Sequence, residues 1–246
     1  MKRLVGLQLY SVRDALAADF AGTIKKLAEM GYNAVETAGV PAGMTPVDMV
    51  KIFRSNNLGL ISCHAQLPVG ENATQILDTV KALGGKYLLT GFGAFEPWAK
   101  LDTIKEMAEK ANEAAENAAK YGIKIGLHNH DQEMQIVDGK PAYRHFLDMT
   151  VKDVIMEVDV YWVKVGKLDP VTVLNDVGDR CPVVHLKDGM GSRGTPFKPL
   201  GEGVMDIPAV LKVIGDKDGW FVEQDSGEGC MVENVKRSIQ YLEKIM

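Results

Sequence analysis

Two imidazoles, two amides and two carboxyls crowd into one short stretch, His128-Asn129-His130-Asp131-Gln132-Glu133, directly after the apolar residues Ile123, Ile125 and Leu127. An apolar run that ends so abruptly in polar groups reads as a strand whose tip does chemistry rather than packing. Side chains alternate faces along a strand, so His128 and His130 are expected on one side and Asn129 on the other. Paired imidazoles suit metal binding or proton transfer. Three more apolar runs stop in the same way, at Asp159, at His185 and at Glu223. Brought to one point, these tips form a mixed nitrogen and oxygen shell. Such a shell suits Mn²⁺, Zn²⁺, Co²⁺ or Fe²⁺ better than Mg²⁺ or Ca²⁺, which prefer oxygen alone.

Something must carry distant tips to one place, and a repeated strand-then-helix pattern does so. The apolar spacing predicts strands over 4–9, 34–36, 58–63, 87–89, 123–128, 154–158, 183–184 and 220–222. Helices are predicted over 20–30, 46–56, 74–83, 101–121, 142–149, 170–177, 207–214 and 231–245, with Thr45 and Pro46 opening the second and Gly31 and Gly122 as stops. Eight such units call for a parallel sheet closed as a (β/α)₈ TIM barrel, whose usual length of about 250 residues fits one domain over 1–246. An open sheet would suit six units better.

Barrels of this kind place their active sites at the carboxyl ends of the strands. Here those ends are Gln8, Glu36, His64, Thr90, His128 with His130, Asp159, His185 and Glu223. Gln8, Glu36 and His64 are expected to touch substrate from the rim. Trp162, just after Asp159, offers an aromatic wall for a sugar ring. Lys187 shares the face of His185 and is placed to orient or protonate a substrate oxygen. The glycine-rich loop 189–203 is long enough for a lid, with Arg193 or Lys198 reaching an anionic or hydroxylated substrate. Gly189 to Gly194 spells GxGxxG, but Pro196 and Pro199 follow where that motif needs a helix, so a nucleotide site is set aside.

Composition narrows the classes further. Hydrophobic residues make up 46% and charged ones 25%, a globular balance, and the net charge of −5 with scattered Lys and Arg gives no basic face for nucleic acid. Cys63, Cys181 and Cys230 are odd in number and unpaired in spacing, which fits a reducing compartment. The basic start at Met1-Lys2-Arg3 precedes only a short apolar segment, and no run nears the roughly 18 apolar residues of a membrane span. The expectation is a cytoplasmic enzyme with no membrane attachment.

From Gly6-Leu7-Gln8-Leu9-Tyr10-Ser11 through Gly31-Tyr32-Asn33-Ala34-Val35-Glu36, His128-Asn129-His130-Asp131, Asp159-Val160-Tyr161-Trp162 and Val184-His185-Leu186-Lys187-Asp188 to Val222-Glu223, the chain resembles the xylose isomerase-like TIM barrel superfamily. That group holds sugar phosphate isomerases and epimerases, inosose dehydratases and AP-endonuclease-type enzymes. The resemblance implies one divalent metal, with Mn, Zn or Co favoured, held by His128, Asp159, His185 and Glu223, and a small carbohydrate substrate. It also allows a homo-oligomer paired through the barrel rims. Many relatives end the fifth strand in Leu-Glu-Asn-His, whereas this chain has Leu127-His128-Asn129-His130. The missing carboxylate leaves His128, then His130, then Glu133 as the fifth-strand ligand, with Glu133 otherwise a substrate contact. Glu223 and His130 are then the groups that exchange protons with the substrate carbon, and Lys187 steadies an oxyanion. Isomerisation or epimerisation is the leading expectation. A lyase acting on a keto-sugar, 3-keto-glycoside or keto-inositol is the alternative, and a sugar-binding barrel without catalysis would show no metal requirement. A DNA-cleaving enzyme of the AP-endonuclease type would need more rim ligands and a basic surface.

Overall fold

The computed structural model describes residues 4–91 and 98–246, so the basic start at 1–3 lies outside the described residues. Eight parallel strands form a closed ring: β1 Val5–Gln8, β2 Ala34–Thr37, β3 Gly59–His64, β4 Tyr87–Thr90, β5 Lys124–His128, β6 Ile155–Asp159, β7 Val183–Leu186 and β8 Gly219–Val222. β1 pairs with both β2 and β8, which closes the barrel. The (β/α)₈ TIM barrel expected from the strand-helix repeat is therefore the fold.

The helices are α1 Arg13–Ala18, α2 Phe20–Glu29, α3 Pro46–Ser55, α4 Ala73–Leu83, α5 Leu101–Ala119, α6 Ala142–Met149, α7 Val160–Val165, α8 Pro170–Val177, α9 Ile207–Ile214 and α10 Met231–Ile245. Their starts follow from local chemistry. The side chains of Asp19, Thr45, Asp169 and Asp206 each accept the backbone N–H three residues on, meeting donors that have no partner inside a helix. α4 ends at Gly84, whose φ of 83° would strain any residue with a Cβ.

Two short helices depart from the sequence expectation. Neither is among the eight helices expected: α1 fills the segment between β1 and α2, and α7 begins one residue beyond Asp159. Each has 6 residues, too few for a helical period to show in the sequence. β1 stops at Gln8 rather than at Leu9, because the Gln8 Oε1 accepts the Tyr10 N–H at 3.1 Å and turns the chain into a single tight helical turn, Leu9–Val12. β5 stops at His128, so His130 belongs to the following turn.

Alternation along the strands separates two apolar layers. Val35, Leu88, Ile125, Leu127, Val158, Val184, Leu186 and Val222 face outward and pack under the helices in the main core. Their neighbours Ala34, Leu89, Ile155, Val183 and Phe221 form a smaller cluster with Tyr87 inside the barrel. That inner plug seals the base of the barrel and gives the polar groups above it a dry, low-dielectric floor. Cys63 and Cys181 are buried free thiols and Cys230 is an exposed one. No helix among the described residues is long and apolar enough to cross a membrane.

Candidate metal centre and active site

Period two, continued past the apolar plug, lines up the polar groups. On β6 the inward residues are Ile155, Glu157 and Asp159; from β7 they are Val183, His185 and Lys187; from β8 they are Phe221, Glu223 and Asp225. The same strand that turns an apolar side chain into the plug thus turns a charged one into the mouth. Asp159 pairs in register with His185, His128 with Glu157 and Gln8 with Glu36. Glu36, Glu157, Asp159 and His185 have no accessible surface, and His128, Lys187 and Glu223 are buried as well.

Glu157 lies among three imidazoles. Its Oε2 is 2.8 Å from His64 Nε2 and 3.0 Å from His128 Nδ1, and its Oε1 is 3.2 Å from His185 Nε2. Glu36 Oε1 receives the Gln8 amide at 2.7 Å and meets His185 Nε2 at 2.6 Å and His64 Nε2 at 3.1 Å. On the outer side, His185 Nδ1 is 2.9 Å from Glu223 Oε2. Lys187 Nζ reaches Glu223 Oε2 at 2.7 Å, Asp159 Oδ2 at 3.1 Å and Asp225 Oδ2 at 3.0 Å. An ionised carboxylate only accepts hydrogen bonds, so the His128 nitrogen facing Glu157 is the protonated one and Nε2 keeps its lone pair.

Burial and charge set the protonation states. Burial pushes the His128 imidazole down to about 3, helped by His185 and His64, and pushes His130 down to about 4 with help from the Lys187 ammonium. Both are neutral at pH 7. Burial opposes the proton on His64, but Glu36 and Glu157 outweigh it and carry that group up to about 10. His185 is likewise held protonated against burial, by Glu157, Glu36 and Glu223. Burial raises the Asp159 carboxyl to about 6 although Lys187 pulls it down. For Glu223 the balance is reversed: Lys187 and His185 overcome burial and keep it ionised.

The arrangement fits a cation. His128, Asp159, His185 and Glu223 each offer a ligand atom within 4.8 Å of the others, and all four are buried. Asp159 Oδ1 accepts the Tyr161 and Trp162 N–H groups at 2.9 and 3.0 Å, which fixes the carboxyl, while the buried Oδ2 faces the cluster with the Lys187 ammonium as its neighbour at 3.1 Å. Once the His185 Nδ1 facing Glu223 gives up its proton, as metal ligation requires, two nitrogens and two carboxylate oxygens are the donors that Mn²⁺, Zn²⁺ and Co²⁺ accept. His64, His128, Glu157 and His185 satisfy the same distance criterion one step lower, sharing two residues with the first set. Above them opens a cavity of about 370 Å³, lined by Gln8, His64, His128, His130, Lys187 and Glu223 among others.

The sequence profile of the xylose isomerase-like TIM barrel matches residues 24–245. The chain belongs to that family. Among solved structures this barrel is similar to two sugar phosphate isomerase/epimerases from Parabacteroides distasonis. One is 25% identical with a TM-score of 0.84, covering 99% of this chain and 94% of the other; the second is 27% identical with a TM-score of 0.81, covering 98% and 97%. The IOLI protein with a bound zinc atom shares the fold at 16% identity and a TM-score of 0.78, over 98% of this chain and 97% of that one. No curated protein matches the chain.

Within this xylose isomerase-like barrel the rim residues expected from sequence divide into two groups. His128, Asp159, His185, Glu223, Lys187, His64, Gln8 and His130 surround one space. His130 leaves the strand as already noted, yet its ring still lies 5.2 Å from that of His128 at 88°. Three expectations of substrate contact need correction. Glu36 has no accessible surface and lies beneath the cavity, bonded to Gln8 and His185, because a strand tip is not by itself exposed. Glu133 is equally buried and its Oε2 accepts the His130 N–H at 2.8 Å, fixing the turn after β5. Arg193 does stand on the loop after β7, but it is paired with Asp131 and does not line the mouth. Two residues escaped sequence reading, Glu157 and Asp225. Each lies two positions from a recognised tip on the same strand face, so period two carried the signal.

Proposed function

We propose that the chain is a divalent-metal-dependent sugar isomerase or epimerase that removes a proton from a carbon beside a carbonyl. The reading rests on one observation: His128, Asp159, His185 and Glu223 present donors within 4.8 Å of one another directly under a cavity walled by His130 and Lys187. The two Parabacteroides distasonis structures, sugar phosphate isomerase/epimerases at 25% and 27% identity, support it. A divalent ion held by those four residues supplies a Lewis acid for a carbonyl and a neighbouring hydroxyl. The reading takes residues 1–246 as one domain.

The remaining work falls to side chains. Glu223, ionised at pH 7, takes the proton from the acidified carbon. His130 is neutral and lines the same cavity, so it relays a proton from solvent to the opposite face, accepting one as it passes one on, while Glu223 returns its own proton to solvent. Lys187 stays protonated because Asp159, Glu223 and Asp225 outweigh its burial, and it steadies the oxygen that gains negative charge. His64 and Gln8 hold the sugar from the rim, and Trp162 stands beside His130 at a ring separation of 5.7 Å.

The test is exchange in D₂O. Protein loaded with Mn²⁺ and offered a panel of ketoses is expected to place deuterium on one substrate carbon, and Glu223→Gln is expected to abolish the exchange. A product lighter by one water points to elimination, as in the lyases of the superfamily. Exchange that persists in Glu223→Gln refutes its role as base.

A further inference from the structure

A second cavity, of about 430 Å³, lies beside the first and takes no part in the reading above. Tyr161, Trp162, Thr195, Phe197, Ser226 and Glu228 line it. The two spaces share a wall. His130 of the first is 5.7 Å in ring separation from Trp162 of the second, and the Lys187 ammonium lies 5.5 Å and 5.4 Å from the Trp162 and Phe197 rings. Asp225 lines one cavity and Ser226 the other.

Its walls are held in place. Both oxygens of the buried Asp188 carboxyl are used on backbone N–H groups: Oδ1 takes those of Gly189 at 2.8 Å and Met205 at 3.1 Å, and Oδ2 takes those of Gly201 at 3.0 Å and Gly203 at 3.1 Å. Residues Asp188–Gly189 and Phe197–Lys198 then pair as a small antiparallel ribbon that presents Phe197. Arg193 pairs with Asp131, and the Tyr161 hydroxyl accepts the Gly191 N–H at 3.2 Å, which ties the loop to α7 and to the turn after β5. Tyr161, Trp162 and Phe197 pack tilted or edge to face at 57° to 78° with ring centroids 5.3 to 5.8 Å apart, so the three rings form one rigid aromatic wall of the cavity.

The lining selects a ligand. Aromatic faces with a rim of Ser192, Thr195 and Ser226 hydroxyls match a ring that has apolar faces and a hydroxylated edge, as a sugar has. Phosphate is disfavoured, because the cations bordering the two cavities already face carboxylates: Lys187 meets Asp159 and Glu223, Arg193 meets Asp131, and Lys198 meets Glu228.

We propose that this aromatic-walled cavity is a subsite for a second sugar ring, so that the substrate is an unphosphorylated two-ring carbohydrate whose reacting ring lies over Glu223 and His130. The inference rests on the sugar-isomerase reading and adds the substrate class. Neither cavity alone exceeds the lower half of the range that holds small ligands, about 300–1,000 Å³, so each has room for about one sugar ring.

Calorimetric titration of the Mn²⁺-loaded protein with D-fructose, fructose 6-phosphate and the galactosyl-fructose disaccharide lactulose tests it. Lactulose is expected to bind more tightly than fructose by on the order of tenfold, the size of a favourable ring-on-ring contact. Fructose 6-phosphate is expected to gain nothing over fructose. Phe197→Ala, and independently Thr195→Trp, which fills the cavity from the loop side, are expected to erase the lactulose advantage and leave fructose unchanged. Equal affinity for the three sugars, tightest binding of fructose 6-phosphate, binding of none, or a variant effect shared by both fructose and lactulose overturns the subsite. Deuterium exchange in the same samples reports the reaction separately: a lactulose preference without exchange retains the subsite and rejects the isomerase reading.

Discussion

Replacing Glu157 by Gln removes one charge from the centre of the imidazole cluster while leaving its shape. The wild-type carboxylate accepts from His64 at 2.8 Å and from His128 at 3.0 Å, with no exposed surface on the glutamate. Hydrogen bonds to a charged partner contribute about 1.5–3 kcal/mol and neutral ones about 0.5–1.5 kcal/mol. Two bonds that lose their charge assistance therefore give up about 2 kcal/mol, or roughly thirty-fold in an equilibrium constant. That loss should fall on metal affinity, since the His128 nitrogen bonded to Glu157 fixes which nitrogen is left for the ion. Outer carboxylates on ligating histidines are worth about 10- to 100-fold in affinity, the same range. Competition against a chromophoric chelator measures it, with Zn²⁺ or Mn²⁺ as probe. Metal-free stability should fall as well, because the buried His64 and His185 imidazoliums lose a counter-charge. An affinity within about twofold of wild type would refute the assignment of Glu157 as the group that orients His128.

Other outcomes follow from the same geometry. His128→Glu sets a second carboxylate beside Glu157 in register and should weaken metal binding, whereas the swap His128→Glu with Glu157→His should recover most of the loss; additive effects in the double-mutant cycle would contradict the pairing. Burial raises the Glu133 carboxyl to about 8, so the folded protein holds a proton that the unfolded chain releases near pH 4.5. Its contribution to stability is whole below about pH 4.5, declines as pH rises and is gone above about 8, so Glu133→Gln should gain in melting temperature relative to wild type between pH 5.5 and 8.5; parallel curves would contradict this. Asp188→Ala strands four backbone donors and should cost about 2–4 kcal/mol locally, read as lost hydrogen-exchange protection over residues 189–205. Unchanged protection there would show that the loop is held by other contacts.

The barrel was legible because eight apolar runs each hand over to a helical period, and the candidate cation cluster because Asp159, His185 and Glu223 stand at the ends of such runs. What escaped was depth. Glu157 and Asp225 share a strand face with recognised tips, yet a carboxyl two residues before or after a tip looks like an ordinary polar position until the opposing imidazoles are placed. Accessibility was hidden too. Glu36 sits at a strand end but is covered by Gln8 and His185, residues distant in sequence, and Glu133 just beyond a strand end folds back onto the His130 N–H of its own turn. Short helices such as α1 and α7 hold too few residues to display a period, so neither stands out in the sequence.

Diffraction from crystals grown with Mn²⁺ addresses the central claim most directly. An anomalous difference map should show one strong peak bounded by His128, Asp159, His185 and Glu223, and the peak should vanish in Asp159→Asn. A map with no peak there, or with its peak among His64, Glu157 and the inner nitrogens instead, would contradict the account.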